Sequence, residues 1–317
     1  MNLNELQMSS HDGPVPVDAV TGLLSAFSTH SLVALGEAHW LQQEADFIAG
    51  LLNHPDFAWL VQIVVVEFGN AYYQPVIDRY VAGDSVRTEE LKGVWRNAGG
   101  AGQAFESPIY AQFFQNVRAL NQSLPANHRI RVLLGDPPVP AGESWRRSLG
   151  KESNPRDVHY ARMVEREVIA RGQRALLIAG GGHFTRFSDT LPHEGNVVQR
   201  LEQHKPGGIF VVLPHVIFEE TLAVRREDAE ELDRRLADWP IPALATVHGT
   251  WLGDLDAFLH CDNLVQVIEP DGVTRQIRVP YIAPDGAQRT EIKLGEMIDA
   301  LLYLGPQPSL IFTPPSI

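Results

Sequence analysis

The chain has 317 residues, of which 44% are hydrophobic and 21% charged, and its formal net charge is −13 at pH 7. These values are typical of a globular protein with a substantial core, and the acidic balance argues against nonspecific nucleic-acid binding because no basic stripe is present. The single cysteine excludes an intrachain disulfide, and no stretch approaches the roughly 20 apolar residues that a membrane helix needs.

The first 16 residues are polar and predict a flexible leader, since they lack the apolar core of a secretory signal. We interpret residues 17–317 as one α/β domain, because no linker or shift in composition marks a boundary. A chain with one cysteine, no signal and no membrane segment is expected in the cytoplasm. We expect a small-molecule substrate, and neither a nucleic-acid nor a membrane partner.

Apolar runs rich in β-branched residues recur along the chain and predict strands buried on both faces, as in a parallel sheet. They cover residues 31–35, 62–67, 130–134, 175–179 and 209–213. Segments with helical periodicity accompany them, at residues 17–28, 42–52, 108–122, 156–171 and 225–236. Short strands at 265–268 and 277–279 and a last core strand near residue 301 follow. The sequence therefore predicts an α/β fold, a mostly parallel central sheet with helices on both faces and a decorated C-terminal third.

Ionisable residues follow three of these strands at the point where each strand ends. Glu37 and His39 follow the first strand, Glu67 ends the second, and His183 comes after a strand and three glycines. Glu37 and His39 are two positions apart, so an extended backbone directs both side chains to the same side. Ligands of open α/β sheets bind beyond the carboxyl ends of the strands. We therefore expect these two carboxylates and two imidazoles to meet in one crevice.

Further ionisable residues lie where they could support this crevice. Arg156 opens a predicted helix and could stabilise an oxyanion. The other supporting candidates are Glu44, Asp136, Asp157 and His159. Asp136 could orient a histidine, Asp157 could complement a helix N-terminus, and His159 lies one helical turn after Arg156.

The residues leave two kinds of chemistry open. The chain contains no Gly-X-Ser-X-Gly elbow, and Cys261 follows none of the predicted core strands, so activated water is the expected nucleophile. An imidazole could act as a general base on that water. In the alternative, His39, Glu67 and His183 hold a divalent ion such as zinc, manganese or iron.

Four motifs, in this order along the chain, resemble the erythromycin esterase-like/ChaN-like superfamily, which also includes the TraB/TIKI proteins. The motifs are Gly36-Glu37-Ala38-His39, Val66-Glu67, Arg156-Asp157 and Gly182-His183. The resemblance spans roughly residues 30–305 and implies an α/β fold with a cleft lined by paired Glu and His. Residue by residue, it implies functional roles for Glu37, His39, Glu67 and His183, and for Arg156 as an arginine of the esterase pattern. The spacing of the first motif is nearer the ChaN-like form than the esterase form.

The residues and the resemblance together predict a hydrolase that uses activated water on an ester or amide bond of a small molecule. In this hypothesis His39 or His183 is the general base, Glu37 and Glu67 orient the imidazoles, and Arg156 assists the oxyanion. The alternative is a haem- or iron-binding ChaN-like protein without enzymatic activity. Candidate axial ligands would then be Tyr72, Tyr73 and Tyr303.

Overall fold

A computed structural model describes most of the chain. The described residues are 13–96, 98, 104–140, 143, 154–187, 195–203, 205–216, 226–257, 264–268, 274–278, 281–282, 287–289 and 292–315. Of the predicted leader, residues 13–16 have no regular structure and the rest lies outside the described residues, as does Cys261. The assignment of 17–317 to one domain stays a prediction.

The centre of the fold is an eight-stranded sheet in the spatial order β1-β7-β12-β6-β2-β5-β3-β4. Its strands are β1 (Val17–Asp18), β2 (Leu32–Glu37), β3 (Ile63–Asn70), β4 (Arg131–Asp136), β5 (Ala175–Gly180), β6 (Ile209–Pro214), β7 (Ala243–Thr246) and β12 (Ala300–Tyr303). The six strands from β12 to β4 pair in parallel, whereas β7 and β1 are antiparallel at one edge. The predicted α/β class with a mostly parallel sheet is confirmed.

Helices cover both faces of this sheet. They are α1 (Ala19–Ala26), α2 (Gln42–Leu52), α3 (Phe57–Leu60), α4 (Gln74–Ala82), α5 (Thr88–Arg96), α6 (Pro108–Ser123), α7 (Pro155–Glu167), α8 (Val197–Glu202), α9 (Arg226–Leu236) and α10 (Leu294–Met297). The described helices include none that is long and apolar enough to cross a membrane.

The alternation of side chains along each strand creates two hydrophobic cores, one on each face of the sheet. In β2, Val33 and Leu35 join the core that contains α2 and α6, whereas Leu32 and Ala34 join the core that contains α7 and α8. All six residues of β2 are buried, as expected of a strand covered on both faces. The two-sided burial explains why the strand sequences are nearly continuous apolar runs.

Two predicted helices differ from the structure at their ends, for local reasons. The first begins at Ala19 rather than at residue 17, because the Asp18 side chain accepts a hydrogen bond of 2.8 Å from the Thr21 N–H and caps the helix. The helix predicted at 156–171 begins at Pro155, a favoured first position, and ends at Glu167. A separate 3₁₀ turn follows it and ends at Gly172, whose φ is +62°.

The C-terminal third contributes to the main sheet and also forms two small hairpins. One pairs β8 (Leu264–Ile268) with β9 (Thr274–Arg278), and the other pairs β10 (Tyr281–Ile282) with β11 (Gln288–Arg289). The residues between β8 and β9 lie outside the described part of the chain. The predicted last core strand corresponds to β12, which joins β6 to β7.

Candidate active site

The end of β2 carries the first carboxylate–imidazole pair. Glu37 is the last residue of β2 and is buried. Its Oε1 atom lies 3.3 Å from His39 Nδ1 and accepts a hydrogen bond of 2.6 Å from the Tyr110 hydroxyl on α6. His39 is 30% exposed, and its ring meets Phe105 edge-on. The imidazole is thus fixed at Nδ1 by an acid that is itself anchored.

Glu67 lies inside β3, which continues to Asn70 instead of ending at Glu67 as predicted. Pairing with β4 changes register between Val66 and Asn70, because Val66 pairs with Leu134 whereas Asn70 pairs with Asp136. Irregular pairing of this kind redirects side chains near the end of a strand. Glu67 is consequently buried within the sheet, but its side chain still reaches the crevice beyond the carboxyl ends of the strands.

Both carboxylate oxygens of Glu67 are occupied. Oε2 accepts a 2.7 Å hydrogen bond from the backbone N–H of Gly180, at the end of β5. Oε1 accepts a hydrogen bond from Arg156 Nη2 and lies 3.2 Å from His183 Nε2. The Arg156 Nε–H also donates to Asp136 Oδ1 at 2.7 Å, so one guanidinium connects the ends of β3 and β4.

His183 is held by acids on both ring nitrogens. Its Nδ1 pairs with Asp157 Oδ1 on α7, opposite the contact of Nε2 with Glu67. Asp157 Oδ2 in turn accepts from the Asn154 side chain, which precedes α7 with a φ of +48°. Asparagine tolerates this left-handed backbone better than most residues. Asn154, just before α7, therefore helps to hold Asp157 in place, and Asp157 in turn holds His183.

The triple-glycine turn at residues 180–182 lies where the Glu37–His39 pair and the Glu67–His183 pair approach each other. A Cβ atom on Gly180 would lie 3.1 Å from His39 Nε2 and 3.5 Å from Glu67 Oε2. His39 and Glu67 thus approach the same backbone position. The structure places the sequence-predicted residues in two contact groups, Glu37 with His39 and Glu67 with Arg156 and His183, which meet at Gly180 at the carboxyl ends of neighbouring parallel strands.

The charges of this cluster shift the pKa values of its members. Burial alone would lower the pKa of His39, but the hydrogen bond and charge of Glu37, with the charge of Glu67, outweigh it and raise that pKa from 6.5 to about 9. Burial would also lower the pKa of His183. The charges and hydrogen bonds of Asp157 and Glu67 outweigh it and raise that pKa well above its usual value. Burial would raise the pKa of Glu67, but His183 and Arg156 hold it well below its ordinary range. Both imidazoles therefore hold a proton more strongly than an ordinary histidine does.

The supporting candidates differ in their position. Asp136 and Asp157 contact the network directly through Arg156 and His183. Glu44 on α2 is buried, and its Oε2 atom accepts a 2.8 Å hydrogen bond from the Ala38 N–H, which places it behind Glu37. His159 does not join the network. Burial and the charges of two arginines of its own helix, Arg166 and Arg162, lower its pKa to about 4, and its Nε2 has no hydrogen-bond partner among the described residues.

The arrangement does not fit the metal alternative. Within the described part of the chain, no group of three or more His, Cys, Asp or Glu side chains is arranged to hold a metal ion. In the proposed ligand set of His39, Glu67 and His183, the Glu67 oxygens and both nitrogens of His183 already have partners. A guanidinium occupies the position beside Glu67 that a cation would take, so we derive no step through a metal.

The tyrosines considered as haem ligands do not share a site. Tyr72 is exposed, and Tyr73 packs against Gly93 of α5, where an added Cβ would lie 2.7 Å from its ring. Tyr303 is buried in β12, which β6, β2 and β5 separate from β3. Among the residues that the structure describes, no contact of these tyrosines favours the haem- or iron-binding alternative.

Sequence reasoning missed several polar partners. Tyr110, Asn154 and the Gly180 N–H each bind a carboxylate of the network. Tyr110 is 73 positions from Glu37, and no local pattern links the two. Asn154 offered a weak signal, because an Asn-Pro pair at the start of a predicted helix is typical of a turn.

Neither a protein-family model nor a curated protein matches the sequence. Among solved structures, a succinoglycan biosynthesis protein is similar with a TM-score of 0.61 and 8% identity, over 95% of this chain and 96% of that chain. A Bacillus cereus protein is similar with a TM-score of 0.56 and 10% identity over the whole of both chains. At these identities the likeness shows a shared fold alone.

An erythromycin esterase variant in its open conformation is also similar, with a TM-score of 0.49 and 10% identity, over 90% of this chain and 93% of that chain. A score of this size carries no argument about activity. The esterase-like, ChaN-like and TraB/TIKI relationships stay predictions.

Proposed function

We propose that this protein hydrolyses an ester or amide bond of a small molecule with activated water, at the network formed by Glu37, His39, Glu67, Arg156 and His183. The observation that carries the proposal is the pairing of His39 with a buried, anchored carboxylate while its other nitrogen approaches the crevice at Gly180. A positioned imidazole with one free nitrogen can move a proton between water and a leaving group.

The two imidazoles have different roles in this proposal. His183 has an acid on each nitrogen and stays a fixed cation, so it cannot receive a proton from water. Among the described residues, an acid contacts His39 at Nδ1 and none contacts its Nε2, and the side chain is partly exposed. We therefore assign the proton transfer to His39 and restrict His183 to positioning Glu67 and to electrostatic stabilisation of negative charge.

The high pKa of His39 sets the conditions for this step. With a pKa of about 9, roughly 1% of the imidazole is neutral at pH 7. Water activation uses this neutral fraction, in which Nε2 accepts the proton as water attacks the carbonyl carbon. The imidazolium then returns the proton to the leaving alkoxide or amine. Its high pKa makes it a weaker acid, but a leaving alkoxide is a far stronger base than the imidazole.

Arg156 is suited to stabilise the oxyanion formed in the attack. Glu67 and Asp136 fix two edges of its guanidinium, and its side chain remains 21% exposed. A preorganised cation beside developing negative charge is worth several kcal/mol in a site from which water is excluded. Glu67 and Asp136 act here as positioning residues.

The experiment is a panel of carboxylic esters and amides assayed with the wild-type protein and with His39→Ala. We expect hydrolysis of at least one class by the wild type and a loss of turnover of at least about a hundredfold in the variant. His54→Ala, which changes a half-buried histidine two residues after α2, is the matched control and should keep wild-type turnover. Near-normal turnover by His39→Ala, or no turnover of any panel member by the wild type, would refute the proposal.

A further inference from the structure

Trp40, the residue after His39, has a backbone conformation that a bulky side chain rarely adopts. The Leu41 N–H donates to the Ala38 carbonyl at 3.1 Å, so these four residues form a β-turn with His39 and Trp40 at its central positions. Trp40 has a φ of +69°, and the φ of His39 is not positive. A positive φ at the second central position alone defines a type II turn, where glycine or asparagine is usual. Contacts outside the turn must therefore hold tryptophan in this conformation.

Two segments far from Trp40 in sequence supply such contacts. The indole Nε1–H of Trp40 donates to the Ala104 carbonyl at 2.7 Å. The Trp40 carbonyl accepts a 2.8 Å hydrogen bond from the Thr313 N–H. Beside this bond, Leu41 and Phe312 form an antiparallel bridge, so the C-terminal segment lies along the chain that leaves the turn. The side chain and the carbonyl of Trp40 are thus both attached to other parts of the molecule.

The left-handed conformation of Trp40 determines which way the peptide between His39 and Trp40 faces. Type I and type II turns differ by a flip of this central peptide. Its N–H belongs to Trp40 and donates to the Tyr110 hydroxyl. The same hydroxyl donates to Glu37 Oε1 at 2.6 Å, and that oxygen lies 3.3 Å from His39 Nδ1. A change of turn type would therefore remove the first contact of the series that ends at the His39 ring.

We propose that Trp40 is a positioning residue for His39, and that its attachments to Ala104 and Thr313 keep the imidazole paired with Glu37. Its effect on turnover rests on the hydrolysis proposed above, whereas the geometry claimed for His39 holds without any reaction. Trp40 acts through the turn and does not itself contact a reacting group.

The pKa of His39 reports this pairing in the absence of substrate. Burial lowers that pKa, whereas the hydrogen bond and charge of Glu37 and the charge of Glu67 raise it to about 9, and the charge of His183 opposes them. An imidazole that loses its contact with Glu37 keeps the effect of burial but loses the largest opposing one. Displacement of His39 should therefore lower its pKa.

The test is an NMR titration of the His39 ring in the wild type, in Trp40→Phe and in Thr313→Pro, with the signal identified by its absence from His39→Ala. Trp40→Phe keeps an aromatic ring but removes the indole donor, and Thr313→Pro removes the backbone donor. We expect each variant to lower the pKa of His39 by at least about half a pKa unit, and the double variant to lower it by at least about one. With an ester that the wild type hydrolyses, the double variant should lose turnover at least about tenfold.

Two matched controls should titrate like the wild type. Trp59→Phe changes an exposed tryptophan of α3, and Thr313→Ala keeps the N–H that Trp40 accepts. An unchanged His39 pKa in Trp40→Phe and Thr313→Pro would overturn the proposal even if turnover falls, and so would an equal shift in the controls. The two variants break different bonds, so the titration decides the proposal even if one of them fails to fold. Absence of turnover in the wild type would refute the hydrolysis alone, because the titration needs no substrate.

Discussion

The two histidines of the site differ in how many acids hold them. Asp157 and Glu67 contact the two nitrogens of His183, whereas Glu37 contacts only one nitrogen of His39. An imidazole with a carboxylate on each nitrogen is a stable cation. An imidazole with a carboxylate on one nitrogen can exchange the proton on the other nitrogen. This difference decides which histidine the proposed reaction uses.

The ion pairs around Glu67 should contribute strongly to stability. Glu67→Gln leaves Arg156 and His183 partly unpaired in a buried setting, so we expect the free energy of unfolding at pH 7 to fall by about 3 kcal/mol. Folding lowers the pKa of Glu67, so its contribution is present above its ordinary value of 4.5 and is lost as the pH falls through the folded-state value. The difference between variant and wild type should therefore shrink below pH 4.5.

Urea denaturation at several pH values measures this difference. The control is Glu89→Gln, which changes an exposed carboxylate of α5 and should leave the unfolding midpoint unchanged. Equal stability of the wild type and Glu67→Gln at pH 7 would mean that the Glu67 ion pairs contribute nothing.

At the scale of elements, the triple-glycine turn after β5 has one crowded position and one open position. A Cβ on Gly180 would lie 3.1 Å from His39 Nε2, whereas a Cβ on Gly182 would meet nothing within 4 Å. Gly180→Ala should therefore displace His39 and lower turnover at least about tenfold, because small misplacements of reacting groups are costly. Gly182→Ala is the matched control and should keep wild-type turnover in the same ester assay. Equal turnover by the two variants would contradict the placement of His39 against this turn.

The sequence predicted the strands well because both faces of the sheet are buried, which leaves continuous apolar runs in β2, β3, β5 and β6. It did not predict α4 and α5, although their amphipathic periodicity is stronger than that of the predicted helices α1 and α2, so the signal was present and was missed. The continuation of β3 beyond Glu67 was also missed, because a polar residue at a strand end and one inside an irregular strand look alike in sequence.

The site residues were predictable as far as topology determines them. The carboxyl ends of parallel strands lie on the same side of the sheet, and this rule predicted the common location of Glu37, Glu67 and His183. The positions of Tyr110 and Asn154 could not be predicted, because they depend on how α6 and the loop before α7 pack against the sheet. His159, one helical turn from Arg156, contacts none of these residues within the described part of the chain, and its supporting role stays a prediction.

At the scale of the whole molecule, the sheet brings together residues from opposite faces. Glu37 contacts Tyr110 on the α2–α6 face, whereas Glu67 contacts Arg156 on the α7 face. Groups from both faces can meet only beyond the carboxyl ends of the strands. His39 lies there, paired with Glu37 and close to Gly180. The proposed proton transfer therefore depends on the fold as a whole and not on one segment.

The pH dependence of kcat/KM for ester hydrolysis, measured on the wild type and on Glu37→Gln, tests this account most directly. For the wild type we predict a rise of about tenfold per pH unit that levels off near pH 9, where His39 loses its proton. In Glu37→Gln, burial still lowers the pKa of His39 but the charge that raised it is gone, so the limb should move to lower pH by more than about one unit. A wild-type rate that falls above pH 9, or a limb that stays in place in the variant, would contradict the assignment of His39 as the base.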